Sequence, residues 1–109
     1  MLFRSRLFAG QVRLLAGALE CVRAGFVPAG LRNNRDFAEC MVGYEGNIPE
    51  DLKTLLFDPQ TAGGLLISIA GAHADQLLRS LQAAGVPAVR IGEVLPQAKP
   101  LIQVLSTGS

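Results

Sequence analysis

The sequence predicts an α+β domain, a layered sandwich of a mixed β-sheet and packed helices, on three observations. Apolar residues recur at helical spacing over Val12 to Ala24 and over Ala74 to Ala84. Short apolar runs of strand length lie at Leu65 to Ala70, Ala88 to Leu95 and Leu101 to Leu105, and glycine or proline punctuates the intervals. Half of the 109 residues are hydrophobic and the formal net charge is +1, so residues 1–109 are expected to form one ordered domain. That charge leaves no electrostatic footprint for nucleic acid or an anionic membrane. Runs such as Gly63 to Ala70 also fall well short of the roughly 18 apolar residues a membrane span needs.

Taken in order, Met1 to Leu15 mixes Arg4, Arg6 and Arg13 with apolar residues but has no long apolar core or small-residue cleavage site. It reads as mature protein or the start of a truncated chain. Val12, Leu15, Leu19 and Val22 form the stripe of a first helix, which Gly25 ends as a left-handed cap. Phe26 to Asn34 is a turn-rich loop, from which Asn34 caps a short helix over Arg35 to Met41, with Phe37, Ala38 and Met41 inward and Gly43 stopping it. Tyr44 to Asn47 is a loop. Pro49, Glu50 and Asp51 open a helical turn that buries Leu52, Leu55 and Leu56.

Leu65 to Ala70 is expected to be the central strand, covered on both faces. A strong helix follows, with Ala74, Leu77, Leu78, Leu81 and Ala84 on one side, Gly85 as its stop and Pro87 preventing resumption. In the next strand Gly92 marks a bulge or a close approach of backbones. Strand, helix and strand within about 30 residues make a split β-α-β unit of the kind found in ferredoxin-like sandwiches. The helices Val12 to Ala24 and Ala74 to Ala84 are expected to share the sheet as their burial surface.

Few polar residues suggest chemistry. Cys21 and Cys40 read as buried small hydrophobes in a reducing compartment rather than a disulfide. With His73 alone, no zinc-ligand spacing exists. His73 is expected to be solvated at a helix start. Arg32 and Arg35 either receive a phosphate or sit as surface charges near a helix start.

Asp58-Pro59-Gln60-Thr61-Ala62-Gly63-Gly64 is the least ordinary segment, because paired glycines entering an apolar strand weaken it. Two readings stand: a tight turn with the glycines at positive φ, or a loop whose bare backbone admits a phosphate, a domain or a subunit. No lysine follows the glycines and no GxGxxG spacing exists, so neither common nucleotide fingerprint applies.

The string Leu56-Phe57-Asp58-Pro59-Gln60-Thr61-Ala62-Gly63-Gly64-Leu65-Leu66 resembles the DPQTSGGLL motif of the selenophosphate synthetases (selenide, water dikinases), with Ala62 in place of serine. Leu14 to Glu20 is similar to a helix of that family. Val27-Pro28-Ala29-Gly30-Leu31 with Asn34 is similar to its VPGG…N loop, and Ile91-Gly92-Glu93-Val94 to its IGEV strand. Gln60-Thr61 favours this branch over aminoimidazole ribonucleotide synthetase or thiamine-monophosphate kinase within the same superfamily.

The resemblance implies the carboxy-terminal domain of a cytoplasmic, ATP- and Mg²⁺-dependent enzyme that turns selenide, ATP and water into selenophosphate, AMP and phosphate. The expected partners are an amino-terminal ATP-binding domain and a second copy in a homodimer. The family's reactive cysteine or selenocysteine, its lysine and its metal-binding aspartates have no counterpart here, so the chain is expected to be silent alone, with no catalytic or metal residue and without binding ATP. Cleft or interface contacts fall by resemblance to Asp58, Gln60, Thr61, Gly63, Gly64 and Asn34. The competing reading is a non-catalytic ferredoxin-like interaction or small-ligand module using the Gly63–Gly64 edge.

Overall fold

The computed structural model describes residues 3–60 and 62–106. Four strands, β1 (Phe3–Phe8), β2 (Val42–Glu45), β3 (Gly92–Pro96) and β4 (Ile102–Leu105), form one sheet in the order β2-β4-β1-β3. β1 runs antiparallel to β3 and parallel to β4, and β4 is parallel to β2. The helices are α1 (Ala18–Arg23), α2 (Ala29–Ala38), α3 (Glu50–Leu55) and α4 (Gly71–Ala83). The α+β class and the mixed sheet are as expected.

Register explains the core. Leu7 pairs with Val104, and Val104 with Tyr44, so one row of side chains crosses three strands on the same face. That face packs on Leu52 and Leu56 at α3 around buried Ala9, Ile48 and Val104. The opposite face carries a polar network beside buried Phe8. Gln103 Oε1 accepts from Arg4 Nη2 and Arg6 Nε, Arg6 Nη1 donates to Glu93, and Gln103 Nε2 donates to Glu45. The Arg-Ser-Arg alternation of β1 thus places both arginines on the face away from α3.

Several expectations are corrected. The amino-terminal stretch, to which the sequence reading gave no helix or strand, supplies β1 at an inner position of the sheet. Leu65–Ala70 is not the central strand: it lies outside every strand, with Leu65 90% and Leu66 78% exposed. β1 and β4 fill the two inner positions, leaving no inner edge for it, and the β-α-β unit lacks its first strand. The first helix begins only at Ala18, because Gly17 at its N-cap is left-handed (φ 88°) and breaks the run from Val12. Neither long helix covers the sheet as expected; α3 does, with α1 packed on α3. α4 keeps its stripe of Ala74, Leu77, Leu78 and Leu81 only half-buried.

The proline- and glycine-bearing segment before Asn34 is helical after all. α2 starts at Ala29 with Pro28 as an extended N-cap, and buried Leu31 anchors it. Phe37 faces solvent rather than the core, whereas Ala38 and Met41 are half-buried. Gly43 ends no helix: it lies in β2, as does Tyr44, and Pro100 occupies the space a side chain at position 43 would need. Cys21 and Cys40 are exposed free thiols rather than buried hydrophobes, because α1 is short and buries none of its residues and Cys40 lies beyond α2. The C-terminal glycines behave as read, Gly25 and Gly85 both taking positive φ (84° and 80°) after α1 and α4. Pro49 N-caps α3, with Glu50 and Asp51 in its first turn.

Gly92 is the close approach that the sequence suggested. A Cβ there would collide with the Arg6 carbonyl oxygen across the β1–β3 ladder. Gly92→Ala is therefore expected to cost about 1–3 kcal/mol in urea unfolding, whereas Gly64→Ala, which meets nothing, leaves the midpoint unchanged. Tyr44 has a buried hydroxyl without a hydrogen-bond partner among the described residues, and burial pushes its ionisation up. Removing that hydroxyl in Tyr44→Phe is expected to raise stability by about 1 kcal/mol, read from the same unfolding curves.

Candidate functional site

The loop singled out in the sequence leaves the C-terminus of α3. Phe57 N–H donates to Thr54 O and Asp58 N–H to Leu55 O, which closes the last turn. The chain then runs across α2. Pro59 rests 3.1 Å from the position a Cβ on Gly30 would take, so the bare helix backbone makes room for it. Asn34 Nδ2 donates to Phe57 O at 3.0 Å. Asn34 is thus an interior residue of α2 bonding to the loop, not the N-cap it was expected to be.

Asn34 is brought against the entrance of the loop, through Phe57, next to Asp58 in the chain. Asp58 is half-buried and Gln60 exposed. The expectation for Thr61 falls outside the described residues. Gly63 and Gly64 are exposed, and neither has positive φ, which corrects the tight-turn reading. A Cβ on Gly63 would approach Gln60 Oε1 at 2.8 Å, while Gly64 faces open space. Gly64 is therefore open to other atoms, while Gln60 stands against Gly63.

Arg35 has a role that the sequence reading left open. Its Nη2 contacts Glu39 Oε1 at 2.9 Å and Glu50 Oε1 at 2.7 Å, and its Nη1 donates to Thr54 Oγ1 at 2.8 Å. The guanidinium also lies 5.7 Å from the Phe57 ring centroid. Hydrogen bonds to Glu39, then to Glu50, hold its pKa above the ordinary arginine value. With two carboxylates already on it, this side chain joins α2 to α3 and is not a free phosphate receptor. The spacing of Arg35 and Glu39, four apart on a helix, was the visible signal for half of this network. The Phe57 and Thr54 contacts had no such signal.

Arg32 is exposed and has no ion pair among the described residues. His73 is exposed in the first turn of α4, as expected. No group of three metal-ligating side chains occurs among the described residues. No described helix is long and apolar enough to cross a membrane.

No protein-family model matches the chain. Curated proteins do. It is 41% identical over 93 residues to the selenide, water dikinase of Pelobacter propionicus, covering 84% of this chain and 27% of that protein. The selenide, water dikinases of Agathobacter rectalis and Clostridium botulinum are 40% identical over 82 residues and 36% over 97, covering 75% and 88% of this chain and 24% and 28% of those proteins. The chain thus spans about a quarter of the length of the curated relatives it matches.

Two carboxylates here answer to pH. The Arg35 guanidinium holds Glu39, and the Arg23 guanidinium holds Asp51, below the usual carboxylate range. Groups with depressed folded-state pKa values stabilise above their unfolded pKa, about 4, and lose that contribution as pH falls through the folded values. Thermal midpoints should therefore fall as pH drops below about 4, and Arg35→Met should flatten that slope. An unchanged slope in the variant would remove Arg35–Glu39 from the account.

Proposed function

We propose that this chain, a relative of the selenide, water dikinases across 84% of its length, is the carboxy-terminal domain of an ATP-dependent, cytoplasmic selenophosphate synthetase. The parent reaction turns selenide, ATP and water into selenophosphate, AMP and phosphate, with Mg²⁺ as helper ion. The observation that carries the reading is the Asp58–Gly64 loop: its sequence follows the family motif except at Ala62, and its two glycines are exposed. The domain belongs to the aminoimidazole ribonucleotide synthetase-related superfamily.

In this reading the domain is a scaffold and one wall of the nucleotide cleft. Asp58, Gln60, Thr61, Gly63, Gly64 and Asn34 form or support the contact loop. Gly64, with open space at its Cα, lets a phosphate or a neighbouring domain lie against main chain. The described residues do not by themselves fit Mg²⁺, because Asp58 is the only carboxylate of the loop and a metal on polyphosphate needs more oxygen ligands. Those ligands, the nucleophile and the lysine come from an amino-terminal ATP-binding domain. The chain alone is silent and leaves ATP unbound. The outward Leu65 to Ile69 segment favours a homodimer, a second copy covering it. It also favours the second reading, a ferredoxin-like interaction or small-ligand module without catalysis.

A chimera separates the two. This chain, placed in the Pelobacter propionicus enzyme in place of the stretch it matches, should yield selenophosphate and AMP from selenide and ATP, read by ³¹P NMR. A folded but inactive chimera would count for the non-catalytic module. Calorimetry of the chain with ATP and Mg²⁺ should show no heat of binding, and light scattering should show a dimer.

A further inference from the structure

Gly30, Asn34 and Arg35 of α2 all meet the residues that lead into the glycine pair: Pro59 seats on Gly30, Asn34 donates to the Phe57 carbonyl, and Arg35 covers the Phe57 ring. We propose that Asn34 is a positioning residue which holds the Phe57 carbonyl just past α3 and so sets the direction in which the chain enters Asp58–Gly64. Phe57 lies two residues past α3, whose Thr54 and Leu55 carbonyls accept from the Phe57 and Asp58 N–H groups, and its own carbonyl takes its donor from α2. An asparagine in a helix interior is a poor helix former because its amide competes for backbone groups. Here that amide reaches a carbonyl 23 residues away instead of its own helix. Gly30, one turn earlier on the same face, fixes the next point of the path by admitting Pro59. Arg35 adds orientation rather than free charge, since Glu39 and Glu50 already neutralise it. α2 therefore aims a loop whose contacts lie elsewhere.

This deepens the contact-loop reading above and rests on it, but its test needs no turnover. Asn34→Asp keeps the shape and removes the donor at neutral pH; protonation below about pH 4 returns an O–H donor. By ¹⁵N NMR of the whole chain at pH 7, the amides of Asp58, Gln60, Gly63 and Gly64 should shift and lose order in the variant, with β1 and β4 unmoved. At pH 3.5 they should return toward the wild-type positions at that pH. Loop signals unchanged at pH 7, shifts spread evenly over the sheet, or no recovery in acid would each overturn the proposal. Should Asn34→Asp fail to fold, Gly30→Ala serves: it should displace the same loop signals, and adding Pro59→Ala should restore them. Absence of that rescue counts equally against it. An inactive chimera would instead bear on the functional reading and leave these signals as they are.

Discussion

The position of β1 between β4 and β3 is the constraint on which the other elements depend. Its alternation turns Leu7 toward Val104 and Tyr44, which gives α3 an apolar face to cover, and turns Arg4 and Arg6 toward Gln103 and Glu93. The β1–β3 ladder closes only because Gly92 has no side chain to strike the Arg6 carbonyl. Once α3 is seated through Leu52 and Leu56, the network around Arg35 ties α2 to it. The exit from α3 then carries Phe57 and Pro59 onto α2. Sheet, helix and loop thus form a chain of consequences starting from six residues near the amino terminus.

Much of this was legible where the cause is local. Gly25 and Gly85 as left-handed ends, Pro49 with two acids opening a turn, and the stripe of α4 all follow from backbone freedom and helical period. Gly92 could be singled out because glycine within a strand signals a near neighbour. The illegible parts depend on residues far apart in sequence. Phe-Arg-Ser-Arg-Leu-Phe reads as an unpromising lead, and only pairing with β3 and β4 makes it an inner strand. Pro28 to Asn34 has every sign of a loop, yet Leu31 is buried and Pro59 fills the gap at Gly30, so tertiary contact overrides propensity.

The candidate site shows the same division. The loop was found from its glycines and its likeness to a family motif, and the relatives agree with that family. Asn34 was linked to the loop only through that likeness, and its local reading as a cap was incorrect. The physical link is a side-chain amide donating to a loop carbonyl just past another helix, which no spacing rule reveals.

The stretch between Asp58 and Asp75 bears no formally charged residue at neutral pH, and within it Leu65, Leu66, Ile67 and Ile69 face outward outside any strand. Gatekeeper charges are what ordinarily keep such runs from knitting into cross-β stacks between molecules. Concentrated stocks will consequently be governed by this tract rather than by overall solubility, and a lysine introduced at Ser68 is the economical remedy for anyone purifying the protein.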